Sequence, residues 1–415
     1  MSPAPQQSGT GPELSTRASV MPRSSIRRLF TSAFALSSEG VKVYGLHIGD
    51  PDFDMPQRIA DGVSDAIAAG HTHYSPMAGI PALRDAIVSH RQRRMGIEIP
   101  RNRVIVSQGA TQALNSSLQL CVDSGRRVLF PMIYFPNYIQ QSTLAGVEVD
   151  PYELDESFQP VLEKLEQQVT PDTRAMLINT PSNPTGVLFP PETVRALYEL
   201  ARRHNLWIIS DEAYSDFVYR GEYLSPLSID WEYTEEERRV IAVYSFSKSY
   251  AATGLRMGYM VAPNDEAAFR LELMNEPLTG SLTTPIQLAM VRALEVDDTA
   301  ERRDALLERW KLAGELLAGC GLKFAQPDGG LFYFIDISPT GMDGDTFADR
   351  LLAEEHVAVV PGSGFGLVGS RDGDGNLGFE PNALAARCVR VSFAAPRADM
   401  EEGVKRLVGF IQRNS

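Results

Sequence analysis

A single lysine, Lys248, follows the apolar run "VIAVY" within "SFSKSYAATGLRMGY", residues 245–259. Hydroxyl residues flank it, and Arg256 follows eight positions later. Three other short apolar runs end in residues of comparable chemical interest. "AMLI" is followed by "NTPSNPTG" (Asn179 to Gly186), "LWIIS" by "DEAY" (Asp211 to Tyr214), and "VIVSQ" by "GATQAL" (Gly109 to Leu114). An aspartate, a lysine and a small-residue helix start at one sheet edge suit a ligand with a phosphate and a basic ring nitrogen. The helix start offers free backbone N–H groups to an anion.

The elements that must hold these residues are legible as a pattern. From about Pro56 to Val261, β-rich apolar runs alternate with stretches of helical period. Pro81 opens "PALRDAIVSHRQRR", with Leu83, Ala86, Ile87 and His90 on one stripe, and Pro190-Pro191 leads into "ETVRALYELARRHN". Nearly continuous apolar strands alternating with helices predict an α/β fold whose mostly parallel sheet is covered by helices on both faces. In such sheets ligands bind beyond the carboxyl ends of the strands, where the residues above fall. A long helical run, Asp298 to Gly319, precedes shorter strands ("LFYFIDI", "VAVV", "CVRVSF") and further helices, which read as a smaller α/β domain. The expected division is a disordered tail at 1–20, a segment at 21–55 joining the small domain, a large domain at 56–300 and the small domain at 301–415.

Composition excludes some classes. Lys and Arg number 39 against 53 Asp and Glu, a net charge of −14, which argues against nucleic acid and anionic membrane surfaces. No apolar run approaches the ~18 residues of a membrane span. The first twenty residues lack the apolar core of a secretory signal. Cys121, Cys320 and Cys388 are scattered, which fits a reducing cytoplasm and gives neither a disulfide framework nor a metal knuckle.

Taken in order, "NPTG", "DEAY" and "SFSK" followed by "GLRMGY" resemble the fold-type I pyridoxal-phosphate (PLP) enzymes. More closely they resemble the class I/II aminotransferases of the aspartate aminotransferase family. "IGDPDFDMP", "YSPMAGIPALR", "PDGGLFYF" and "VRVSFA" extend the resemblance from roughly Met21 to the C-terminus. The resemblance implies a Schiff base between Lys248 and PLP, with the same amine moving a proton between substrate and cofactor. Asp211 would hold the ring nitrogen protonated, although "SDEAYSDF" also has the look of a helix cap. Tyr214 and Asn183 would bond the ring's phenolic oxygen; core packing and turn formation are their ordinary alternatives. Gly109, Ala110, Thr111, Ser245 and Arg256 would cup the phosphate. Phe135 would cover the ring, with Tyr134 as the competing choice one residue away. Arg390 would clamp the substrate α-carboxylate, and Gly49 would bring backbone near it, where a plain turn glycine is an even alternative. Tyr74 would reach the neighbouring subunit's phosphate, which implies a homodimer with shared sites.

The implied reaction is ping-pong transfer of an amino group between an α-amino acid and a 2-oxo acid. The scaffold also supports elimination, cyclisation, decarboxylation and oxidation, because the cofactor carries the hard chemistry. A non-catalytic PLP-binding regulator is the remaining alternative. Two features depart from the family. Thr111 stands where one subgroup has a lysine for a distal carboxylate, and Arg23, Arg27 and Arg28 are other sources of charge. A stretch of more than twenty residues separates "VVPGSGFG" from "VRVSFA" and reads as a loop shaping substrate choice. Three weaker signals carry nothing. "GFGLVG" (Gly364 to Gly369) is not followed by a helix, "DGDGN" (Asp372 to Asn376) lacks the glycine and glutamate of a calcium loop, and His71 and His73 have no third ligand. No metal is expected.

Overall fold

A computed structural model describes residues 12, 14–322, 324–373 and 376–415. Its main sheet contains β1 (Val104–Ser107), β2 (Arg127–Pro131), β3 (Glu148–Tyr152), β4 (Thr173–Asn179), β5 (Trp207–Asp211), β6 (Val240–Ser245) and β7 (Gly258–Val261). The strands lie in the order β1-β7-β6-β5-β4-β2-β3. The pairs β2–β3, β2–β4, β4–β5 and β5–β6 are parallel, whereas β7 runs antiparallel to both β6 and β1. The mostly parallel sheet is as the apolar runs predict. The sequence reading did not contain β7. Its direction has a local cause: a parallel neighbour needs a crossover of about a dozen or more residues, usually carrying a helix. Residues 246–257 hold only a four-residue helix, Phe246–Ser249, and a single 3₁₀ turn, so the chain turns straight back. Two reversals leave β1 pointing the same way as β2 to β6. The carboxyl ends of β1, β2, β4, β5 and β6 therefore share one edge.

Helices Pro81–Met95 and Pro191–Arg203 form where the apolar stripes and opening prolines place them. In the first, Leu83, Ile87 and His90 are buried, and Ala86 is half-buried. The long connector is the helix Thr299–Ala318.

A second sheet joins β8 (Phe332–Asp336), β9 (Val360–Pro361) and β12 (Cys388–Ser392), antiparallel throughout in the order β9-β12-β8. Between β9 and β12 the chain does not form the loop expected there. It folds β10 (Leu367–Arg371) against β11 (Leu377–Pro381) as an antiparallel hairpin. The Gly/Asp-rich composition between the two short strands is of the kind that favours a turn; Asp374 and Gly375 of "DGDGN" lie outside the described residues. The G-x-G-x-x-G match runs through a 3₁₀ turn, Gly362–Phe365, into β10, and no helix follows.

The N-terminal segment packs with the C-terminal elements. Leu29 and Ala33 of helix Ser25–Ser38, with Leu46, are buried in one cluster with Leu306, Phe347 and Val404. Tyr44–Gly45 pairs in parallel with Val357–Ala358. The end of the expected tail at 1–20 lies within the described residues. Thr16–Ser19 form a turn of helix capped by Ser15, and Arg17 donates to the Leu144 carbonyl at 3.0 Å. Residues 1–11 and 13 lie outside the described residues.

Candidate active site

The shared strand edge opens into a cavity of about 240 Å³. Lys248, Asp211, Tyr214, Asn183, Ser245, Arg256, Ala110, Thr111, Phe135, Gly49 and Arg390 all line it. Residues between Ala110 and Arg256 converge there because their strands end on one edge, and Gly49 and Arg390 join them from outside that sheet.

Lys248 stands on the short helix that follows β6. Its Nζ donates to the Gly49 carbonyl at 2.7 Å. Burial, aided by Arg390 and Arg256 and opposed by Asp50, lowers its pKa to about 8. A neutral amine is therefore accessible near physiological pH, which a nucleophilic lysine requires.

Asp211, the last residue of β5, is 5% exposed. Its carboxylate accepts from Tyr138 Oη at 2.7 Å and from the Ala213 N–H at 3.1 Å. Burial raises its pKa, and those two donors partly oppose the shift. No basic side chain forms an ion pair with it among the described residues. Asn179, at the end of β4, ties two neighbours together: its Nδ2 donates to the Asp211 carbonyl at 3.1 Å, and its Oδ1 accepts from the Asn183 N–H at 2.9 Å. Tyr214 is buried, its ring set edge-on to Phe332, and burial raises its pKa.

At the other end, Gly109 opens helix Gly109–Cys121 with φ of 71°. That left-handed φ is what favours glycine; a Cβ there would lie 2.9 Å from Arg256 Nη2, the movable end of a side chain. Arg256 itself adopts φ of 53°, and its Nη1 donates to the Thr253 carbonyl at 2.7 Å. Ser245 caps the lysine helix by accepting from the Ser247 N–H at 3.1 Å.

Arg390, in the middle of β12, is 2% exposed. Nη1 donates to Asn183 Oδ1 at 2.9 Å and Nη2 to the His47 carbonyl at 2.8 Å, whereas Nε has no partner. The guanidinium lies over the rings of Phe332 (4.0 Å) and Phe365 (4.9 Å). Burial lowers its pKa to about 10, still charged at neutral pH. Such a cation needs an anionic partner to balance its desolvation.

The residues of two sequence alternatives lie in distinct surroundings. Phe135 lines the cavity, whereas Tyr134 is buried with its hydroxyl donating to the Leu367 carbonyl. Gly49 is more than a turn glycine, since a Cβ would meet Phe332 Cζ at 2.4 Å. Tyr74 does not join the cavity within one chain; it is 93% exposed. Arg28 is turned away, paired with Asp345 at 2.9 Å and Asp349 at 2.6 Å. Arg23 and Arg27 flank Ile26, which lines the cavity. Among its described residues, the β10–β11 hairpin, read from sequence as a specificity loop, contributes none to the lining and packs beside β3, where Arg371 pairs with Glu148 at 2.9 Å. Sequence reasoning missed Tyr138, Asn179, Phe332, Leu114 and Ile26 as site residues. The first asparagine of "NTPSNPTG" and the tyrosine of "PNY" were the available signals for Asn179 and Tyr138.

The donor set fits a phosphorylated cofactor with a cationic ring. The buried carboxylate lacks a counter-charge, the Gly109 cradle faces a guanidinium, and a lysine of lowered pKa lies in the same cavity.

The family model for aminotransferase class I and II matches residues 41–407. The chain is 36% identical to the arginine–pyruvate transaminase of Pseudomonas aeruginosa over 88% of this chain and 92% of that protein. It is 32% identical to the aspartate/prephenate aminotransferase of Thermus thermophilus over 96% of this chain and 99% of that protein. The crystal structure of an aspartate aminotransferase from Thermotoga maritima superposes with a TM-score of 0.85 at 32% identity, covering 96% of this chain and 99% of that one. The chain therefore belongs to the class I and II aminotransferases and is a pyridoxal-phosphate-dependent enzyme that transfers amino groups between amino acids and 2-oxo acids.

Proposed function

We propose that the reaction runs as two alternating half-reactions at the cavity described, with Lys248 as the group that both holds the cofactor and moves the proton. The observation that carries this reading is the juxtaposition of Lys248, its pKa lowered to about 8, with a buried Asp211 and a buried Arg390 that form no ion pair among the described residues. Pyridoxal phosphate supplies an aldehyde carbon for the amine and a ring that accepts electrons. The chain supplies the rest. Asp211, fixed by Tyr138 and Ala213, presents its carboxylate to the ring nitrogen. Tyr214 and Asn183 present polar atoms to the ring's edge, and Phe135 covers a face. Gly109, Ala110, Thr111, Ser245 and Arg256 receive the phosphate. Arg390 offers two N–H groups to the substrate carboxylate, held in aim by Asn183 and His47.

Thr111 lines the cavity in place of a cation, and Arg28 is occupied elsewhere. We therefore expect donors without a distal carboxylate to outperform aspartate. The exposure of Tyr74, with Phe269, Leu273 and Leu278 also exposed, supports a homodimer in which Tyr74 completes the neighbouring site. Residues 56–300 and 301–415, the latter joined by 21–55, are proposed as two lobes around the cavity.

The test is a panel of amino acids mixed one at a time with the holoenzyme, following conversion of the bound cofactor to pyridoxamine phosphate. Lys248→Ala should show no turnover in any pair of donor and 2-oxo acid. Retention of wild-type turnover by that variant would remove the assignment.

A further inference from the structure

The turn that leaves β9 touches both the carboxylate clamp and the loop that carries the cofactor-facing ring. Phe365 is fully buried and lies 4.9 Å from the Arg390 guanidinium. Its carbonyl accepts from the Tyr134 N–H at 2.6 Å. Two residues on, the Leu367 carbonyl accepts from Tyr134 Oη. After the hairpin the chain returns to the same place through Asn382. The Asn382 N–H donates to the Gly366 carbonyl at 2.8 Å, and its Nδ2 donates to the Met132 carbonyl at 2.8 Å. Its Oδ1 caps helix Ala383–Ala386 by accepting from the Ala385 N–H at 2.8 Å. Gly366 leaves room for this arrangement: a Cβ there would stand 2.4 Å from Asn382 Nδ2 and 3.0 Å from the Met132 carbonyl.

Loop 132–135 is thus tied at Met132 and Tyr134 to a turn whose next contact is Arg390. Phe135 is the next residue in the chain. We infer that Asn382 is a positioning residue, which holds Phe135 over the cofactor in fixed relation to the Arg390 clamp. The hairpin between β10 and β11 serves to return the chain to that point. This inference rests on the roles proposed above for Phe135 and Arg390.

A single Asn can do two things here, and a substitution separates them. In Asn382→Ser the hydroxyl still caps the following helix, but it is too short to reach the Met132 carbonyl. The experiment titrates pyridoxal phosphate into apoenzyme by tryptophan fluorescence and measures KM and kcat of the holoenzyme. It uses wild type, Asn382→Ser, Phe135→Leu and the double variant. The loss of one hydrogen bond acting through Phe135 should weaken cofactor binding and raise the donor KM by about 5-fold, with kcat less affected. In the Phe135→Leu background the same change should add less than about 2-fold, since the two residues act through one contact. Equal factors in both backgrounds, or no change in cofactor affinity, would overturn the inference. Tyr134→Phe removes the bond to Leu367 without touching the cap, and the same reduced factor in the Phe135→Leu background is expected. It decides the matter if Asn382→Ser does not fold. Cofactor uptake by the wild-type chain, read in the same titration, separates failure of this inference from failure of the functional reading.

Discussion

Asp211 and Asp216 lie five residues apart, both with buried side chains, and burial pushes both carboxyls up. Their outcomes are opposite. Asp211 receives only a phenol and a backbone N–H, and its pKa stays raised. Asp216 lies 2.5 Å from Arg94 Nη2, accepts from Ser249 Oγ at 2.5 Å, and has Arg91 and His90 nearby. These more than offset its burial, and its pKa is lowered. The same contrast separates two buried arginines. Burial lowers Arg390 to about 10, whereas the tyrosines and carboxylates around Arg91 overcome its burial and raise it. Arg91 lies over the Tyr244 ring at 4.2 Å, with Asp216 and Glu212 among its neighbours. A buried charge with its partner in the chain is scaffold. A buried charge without one is a socket for a ligand's charge.

Substitutions should divide accordingly. The largest effect is expected of Asp211→Asn, a loss of kcat of about 10³-fold, the scale of removing one preorganised electrostatic partner. Its apoenzyme should melt no lower than wild type. Because the folded pKa is raised, the charged carboxylate costs stability at neutral pH, and the amide removes that cost. A clear drop in the melting midpoint would break the comparison. Asp216→Asn should behave the other way. Leaving Arg91 and the partly exposed Arg94 short of a carboxylate should cost about 2–3 kcal/mol in urea unfolding at pH 7. The wild-type contribution is present above the unfolded pKa near 3.8 and is lost as pH falls through the lower folded value. The gap between the two proteins should therefore close in unfolding curves below about pH 4.

Arg390→Lys keeps the charge but loses the planar fork, and should reduce kcat/KM by roughly 30-fold, mainly through KM. An unchanged KM would mean that the clamp is not the socket it is taken for. The smallest effect concerns Lys248 itself. The amine captures the cofactor only when uncharged. The rate of pyridoxal phosphate uptake by apoenzyme should thus rise about tenfold per pH unit and level off near pH 8. A profile still climbing steeply at pH 10 would show that burial does not lower the lysine. Within the same frame, Glu212 belongs to the scaffold, because the charge of Arg91 lies near enough to act on it. It is buried beside Asp211, yet it accepts from Ser210, Ser225 and Tyr223.

Much of the site was legible because the parallel strands are apolar on both faces, so their ends stand out as the first polar residues. Asn183, Asp211, Lys248 and Gly109 are all found this way. Arg390 was legible as a cation between valines on a strand. The rest depends on contacts that no local rule reaches. Tyr138 bonds Asp211 across 73 positions of chain. The choice between Phe135 and Tyr134 turns on which side of the loop faces Leu367 and which faces the cavity. The hairpin looked like a loop because its turn is rich in Gly and Asp, and its strands are short and exposed. It was assigned to specificity because long loops often are; its described residues pack beside β3, and none of them lines the cavity.

The sequence by itself determined the chemistry on offer: a lysine, an aspartate and an arginine, each at the end or centre of a strand, with a glycine-opened helix for an anion. Composition and chain order settle that, because side-chain identity and strand periodicity are local properties. Only the tertiary structure decided which of the buried charges are paired. Asp211 and Asp216 are of one type and both largely shielded from solvent, and they part company through Arg94, Arg91 and Ser249. Those residues come near one of them because of sheet order and helix packing, and a carboxylate's charge state answers to neighbours in space.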